Sequence, residues 1–198
     1  MSTKIWTLWT NGRTNEEERL LLKRPSAELP VPFGDKEIKE IRTVVDAFLE
    51  RDDALGLAAP QIGISRKIII FKIKGLHERA RIRSREDYDV LINPRITQRR
   101  GPEEIMSEGC LSCPDINVEV IRPTEIKVRA FDEEGNKINR RYTGFQARIV
   151  QHEIDHLEGK LILDHADGAI YIPKEKRVIF TALLRRELPL EEREIVPA

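Results

Sequence analysis

The chain has 198 residues, with 34 Lys and Arg balanced by 34 Asp and Glu. Zero net charge points to neither nucleic acid nor a membrane surface as a bulk partner, and direct DNA binding is not expected. Two cysteines in this length argue against a disulfide-held secreted fold.

Residues 1–10 lack the apolar core of a secretory signal. No run approaches the roughly 18 apolar residues of a membrane span. A cytoplasmic protein with no membrane partner is expected. No repeat or low-complexity linker divides the chain, so 1–198 reads as one domain.

In chain order, Ile5, Trp6, Leu8 and Trp9 fit a short strand, and Asn11-Gly12 is a turn signal. Residues 15–23 are charged, then apolar at Leu20, Leu21 and Leu22, with no clear period. Three prolines between 25 and 32 require extended or irregular chain. A helix is expected from Asp35, as N-cap, to about residue 51. Its core stripe is Ile38, Ile41, Val45, Phe48 and Leu49. Residues 54–63 are small, apolar and rich in Gly and Pro; they read as a tight loop ending near Gln61. Gly56 in this loop admits close approach of another backbone.

Residues 67–73 are expected as a strand with a buried run from Ile68 to Phe71. Between Arg66 and Glu86 eight basic residues face two acidic ones. This is a solvated loop or short surface helix, or a local basic patch that touches RNA. Strands are expected at 90–93, stopped by Pro94, and at 96–99, with a turn at Gly101-Pro102. Residues 117–121 and 125–132 alternate as strands, and Glu134-Gly135-Asn136 turns into a return strand at 137–142.

The central helix is expected from Thr143 to Glu158, ended by Gly159. Thr143 and Gln146 have capping-box spacing. Beyond it come a strand at 161–163, an irregular stretch with a hairpin at Asp167-Gly168, and a short helix at 177–188.

The chemistry concentrates on this central helix. His152-Glu153-Ile154-Asp155-His156 is a His-Glu-x-x-His pattern. Residues four apart share a helix face, so His152 and His156 can hold one metal, with Glu153 as general base beside a bound water. Phe145, Ile149, His152 and His156 lie on one stripe. The metal face is therefore also the core face, and buried histidines must be hydrogen-bonded or metal-bound. A catalytic site of this kind needs a third protein ligand. His77, His165, Cys110 and Cys113 are the remaining donors. Cys110 and Cys113 also have the spacing of a redox pair.

Three segments now converge on one resemblance. Residues 54–61 read Ala-Leu-Gly-Leu-Ala-Ala-Pro-Gln, residues 108–112 Glu-Gly-Cys-Leu-Ser, and residues 151–157 Gln-His-Glu-Ile-Asp-His-Leu. In this order they resemble the three motifs of the peptide deformylase family, with Ala54 in place of a Gly. The resemblance covers about 25–164, leaving an extension at 1–24 and a tail at 165–198. Cys113 and Asp115 also depart from the family, which more often has a small apolar residue and Gly there.

The resemblance implies an α+β fold, with antiparallel sheets packed around a central metal-binding helix. It implies Cys110, His152 and His156 as metal ligands, Glu153 as general acid and base, and Gln61 and the Leu111 N–H as oxyanion donors. Leu55, Gly56, Phe145 and Ile149 would bind substrate, with Glu108 and Asp155 supporting the ligands. The implied ion is Fe(II), with Zn, Ni or Co in purified protein, and activity lost in air. The implied substrate is the N-formylmethionyl end of a new polypeptide. Separately, the basic stretch at 66–86 suggests docking on the ribosome near the exit tunnel as a partner. A deformylase of another formylated substrate, a zincin-type peptidase and a metal-stapled binding module are the alternatives.

Overall fold

A computed structural model describes residues 3–76, 82, 84–165, 168–176, 178, 180–181, 184 and 195–197. His77, Arg79, Arg81 and Arg83 of the basic stretch, Asp167 of the expected hairpin and most of the expected helix at 177–188 lie outside the described residues. The α-helices with both ends among the described residues are α1 (Glu16–Leu22), α2 (Asp35–Leu49) and α3 (Gly144–Leu157), and the described residues of the expected 177–188 helix, Val178, Phe180, Thr181 and Leu184, are helical too. The strands are β1 (Trp9–Thr10), β2 (Arg13–Thr14), β3 (Gly56–Ala58), β4 (Ile68–Lys72), β5 (Tyr88–Cys110), β6 (Cys113–Phe131), β7 (Lys137–Thr143), β8 (Ile170–Ile172) and β9 (Ile195–Pro197). The main sheet runs β3-β4-β5-β6-β8-β9, with β7 also paired to β6; its pairings are antiparallel except β8 with β9. The α+β architecture matches the expectation. No helix among the described residues is long and apolar enough to cross a membrane.

β4 explains the layering. All five of its residues are buried, because helices cover both faces of the sheet. Ile68 and Ile70 pack with Ile41, Val44 and Phe48 of α2. Ile69 and Phe71 join Ile149, Val150 and Ile154 of α3. Side chains alternate sides along a strand, so one apolar run anchors two helices, at about 1.5–3 kcal/mol per fully buried side chain. The stripe of α2 is rotated from the expected one: Leu49 is 43% exposed, while Val44 and Ala47 are buried. Its N-cap is Gly34, not Asp35, and Glu37 accepts the Gly34 N–H at 3.0 Å. Asp35 opens the helix instead, where its charge suits the positive end of the helix dipole.

The chain at 88–131 is one long hairpin rather than four short strands. β5 passes through Pro94 and Gly101-Pro102 by register shifts at Ile92/Arg95 and Arg100/Glu103. Gly101, with φ +75°, is a bulge and not the expected turn. Bulges bend and twist a strand without ending it, and the hairpin returns only at Leu111-Ser112. Cys110 is thereby placed at the tip, paired with Cys113.

α3 starts at its expected place but without the expected capping box. Thr143 makes no side-chain cap, and Gln146 donates to the Ile73 carbonyl at 2.9 Å. Gly159 (φ +72°) does end the turn. A Cβ there would press on the Lys23 carbonyl carbon at 2.7 Å, so the end of α3 packs on the N-terminal segment. In that segment Asn11 and Gly12, both with positive φ, close the β1–β2 hairpin as expected of Asn-Gly. Residues 16–22, which show no clear period in the sequence, are helical. One further expectation fails: 162–164 is a single 3₁₀ turn and not a strand, with the Leu161 N–H donating to Asp164 Oδ2 at 2.7 Å.

Candidate metal centre

α3 and the β5–β6 hairpin build the centre together. His152 and His156 lie one turn apart, and their ring centroids are 5.1 Å apart. Cys110 at the hairpin tip faces them: its Sγ is 3.3 Å from His156 Nε2. The ligand atoms of Cys110, His152 and His156 all lie within 4.8 Å of one another, the one such Cys/His group among the described residues. His165 faces Asp155 instead, at 2.8 Å, so it is not the third ligand. Cys113 lies outside the trio.

The donor set suits a divalent metal. One thiol and two imidazoles converge, and the far nitrogen of one imidazole is already fixed: His152 Nδ1 is 2.9 Å from Glu108 Oε2. Metal-ligating histidines are held in just this way through their second nitrogen. Burial opposes a Cys110 thiolate, but the Cys113 thiol and the two imidazoles outweigh it and hold Cys110 well below the usual thiol range. Burial likewise opposes charge on His152, and its bonds to Cys110 and Glu108 raise it well above the ordinary imidazole value.

Glu108 is the hub beneath the ligands. Arg122 grips it bidentately, at 2.7 and 3.0 Å, and Arg148 donates to it at 2.6 Å. Burial pushes its carboxyl up; the His152 and Arg122 contacts more than reverse this and hold it far below the carboxylate range. Arg122 then reaches Asp155 at 2.8 Å, which also meets His165. The sequence marked Glu108 and Asp155 but not Arg122 or Arg148. Nothing in a strand arginine or a helix arginine announces burial, although a buried carboxylate implies a cation near it.

Above the ligands opens a cleft of about 850 Å³, lined by Leu55, Gly56, Gln61, Leu111, Phe145, Ile149 and Glu153. All seven expected substrate and catalytic residues thus share the cleft with Cys110 and His152. Gln61 is pre-oriented: its Oε1 accepts the Ala58 N–H at 2.8 Å, and its Nε2 points toward Ser112 Oγ at 3.3 Å and Cys110 Sγ at 4.0 Å. Glu153 is 4% exposed, and its Oε2 has no hydrogen-bond partner. Ala54 is buried and has no positive φ, so it replaces Gly without strain. Asp115 does take a positive φ, +69°, the region that favours Gly, and it pairs with Lys176 at 2.8 Å.

The polypeptide deformylase family model matches residues 14–170. The chain belongs to the peptide deformylase family. A peptide deformylase of Pelodictyon phaeoclathratiforme is 33% identical over 174 residues, covering 85% of this chain and 88% of that one. The actinonin complex of a Synechococcus elongatus peptide deformylase superposes with TM-score 0.68 at 27% identity, covering 98% of this chain and 92% of that one. The Met-Ala-Ser complex of a class I type b peptide deformylase from Acinetobacter baumannii gives TM-score 0.67 at 27% identity, covering 83% and 98%. Peptide deformylases are metal-dependent hydrolases that remove the formyl group from newly made polypeptides, and this chain is an enzyme of that kind.

Proposed function

We propose that formyl hydrolysis takes place between Gly56 and the Cys110–His152–His156 cluster, with Glu153 moving the proton. The observation that carries this reading is the Glu153 carboxyl. Burial pushes it up to about 7, against the pull of the two imidazoles. A carboxyl so tuned gives and takes protons near neutral pH, as a general acid and base must.

Cys110, His152 and His156 hold one divalent metal, proposed as Fe(II) in the cell and replaceable by Zn, Ni or Co. When bound it supplies the Lewis acid that makes water a nucleophile at neutral pH. Glu153 accepts the proton of the attacking water and delivers it to the leaving amine. The Gln61 Nε2 and the Leu111 N–H donate to the oxyanion that forms on the formyl oxygen. The Ala58 bond keeps Gln61 from turning its oxygen inward. The peptide lies extended beside Gly56, and Leu55, Phe145 and Ile149 receive the methionine side chain. The Met-Ala-Ser complex of the Acinetobacter baumannii relative supports this occupant.

We place the enzyme in the cytoplasm, as a single catalytic domain acting on nascent chains at the ribosomal exit. Arg66, Lys67, Lys74 and Arg85 are ion-paired within the molecule. Charge reversal at Arg79, Arg81 and Arg83 of the basic stretch that left ribosome co-sedimentation intact would remove this part of the proposal.

The direct test is anaerobic formate release from formyl-Met-Ala-Ser by wild type and Glu153→Ala, each loaded with Fe(II) or Ni(II). Release by wild type, lost in the variant with metal retained, is expected. No release from fully metallated wild type would overturn the substrate and point to another formylated compound.

A further inference from the structure

The hairpin tip carries a second thiol that formyl hydrolysis does not use. Cys113 opens β6 directly opposite Cys110, across the turn Leu111-Ser112, and the two are register partners. Partners in an antiparallel ladder hold their Cα atoms about 4.5–5.5 Å apart, inside the ~4.4–6.8 Å that a disulfide requires. Both are free thiols. Both also line the cleft. A small oxidant that reaches Cys110 therefore creates an oxidised sulfur on a residue whose register partner is a thiol within disulfide reach.

We propose that Cys113 is a resolving cysteine: hydrogen peroxide oxidises Cys110, and Cys113 closes the product to a Cys110–Cys113 disulfide that thiol reductants reopen. In the first step the Cys110 sulfur attacks one peroxide oxygen, the O–O bond breaks, and Cys110 sulfenic acid and water form. In the second the Cys113 sulfur attacks the sulfenic sulfur, the S–S bond forms, and the departing hydroxide leaves as water with the Cys113 proton. Two thiols lose two electrons and two protons, and peroxide becomes two waters. Without a resolving thiol, sulfenic acid proceeds to sulfinic and sulfonic acids that thiols do not reverse. The sulfur chemistry stands on the hairpin. Its consequence, release of the metal, rests on the reading of Cys110 as a ligand.

The test treats the metal-loaded full chain with hydrogen peroxide, beside Cys113→Val and Cys113→Ser. It reads intact mass, peptide mapping without reduction, and protein-bound metal. Wild type is expected to lose about 2 Da as a 110–113 disulfide and to regain both thiols and its metal in dithiothreitol with added ion. Both variants are expected to gain oxygen at Cys110 and not to recover. Equal accumulation of sulfinic and sulfonic Cys110 in wild type and variants would overturn the proposal, as would wild type with no disulfide. A disulfide that forms while the metal stays bound would uphold the sulfur chemistry and sink the ligand reading instead.

Discussion

A Cβ built on Gly56 would lie 2.8 Å from Glu153 Cδ. Carbon atoms do not approach so closely, so the absence of a side chain at 56 is what lets the carboxyl sit over the ligand cluster. Gly56 has no positive φ that would demand glycine on backbone grounds. Gly56→Ala should therefore fold normally and retain its metal, but push Glu153 aside. Displacement of a catalytic group by about 1 Å can cost on the order of 10²-fold in rate. Formate-release kinetics alongside a thermal melt check this. Unchanged kcat would mean that Glu153 has room to work elsewhere.

Glu108 serves two arginines and one metal-site imidazole at once. Removing one partner of a buried ion pair leaves uncompensated charge, at about 3–5 kcal/mol. Glu108→Ala is expected to lose stability on that scale in urea unfolding. It should also weaken metal retention by about 10–100-fold, because His152 loses the group that orients it. A chelator competition titration measures the second effect. Wild-type affinity in the variant would show that packing alone aims His152.

The histidine pair was readable because a helix repeats in space what it repeats in sequence: the spacing of His152 and His156 already implies one face. Cys110 was not derivable that way. It comes from a hairpin whose length depends on bulges, and bulge glycines such as Gly101 look like turn glycines in a sequence. α1 escaped notice because only Leu22 of its seven residues is fully buried, which leaves no stripe to count. The apolar run at 161–163 is too short to show a period of either kind. Arg122 and Arg148 were missed because their burial depends on register and crossing, which bring them to Glu108 from opposite elements.

Adjacent residues of β4 offer a control for long-range support of the site. Ile69 packs with the α3 cluster, and Ile70 with the α2 cluster. Each Ile→Ala change leaves a cavity and should destabilise by about 2–5 kcal/mol. Only Ile69→Ala loosens the helix that carries His152 and His156, so only it should weaken metal retention. Equal metal affinity in the two variants, at similar loss of stability, would show that the Glu108 network holds α3 without this packing.

Asp155 links acidity to stability. Burial pushes its carboxyl up, but the hydrogen bond from His165 and the charge and hydrogen bond of Arg122 outweigh it and leave it below the ordinary value. The folded state then binds fewer protons at this site than the unfolded chain does. Its contribution is present above the unfolded value of about 3.9 and is lost as pH falls through the folded value. The stability difference between wild type and Asp155→Asn should therefore be largest near neutral pH and shrink as pH drops below about 4. Urea unfolding across that range, in chelator throughout so that metal release adds nothing, measures the difference. A gap that stayed constant into acid would mean that Asp155 acts through hydrogen-bond geometry alone, with no net charge stabilisation from Arg122 and His165.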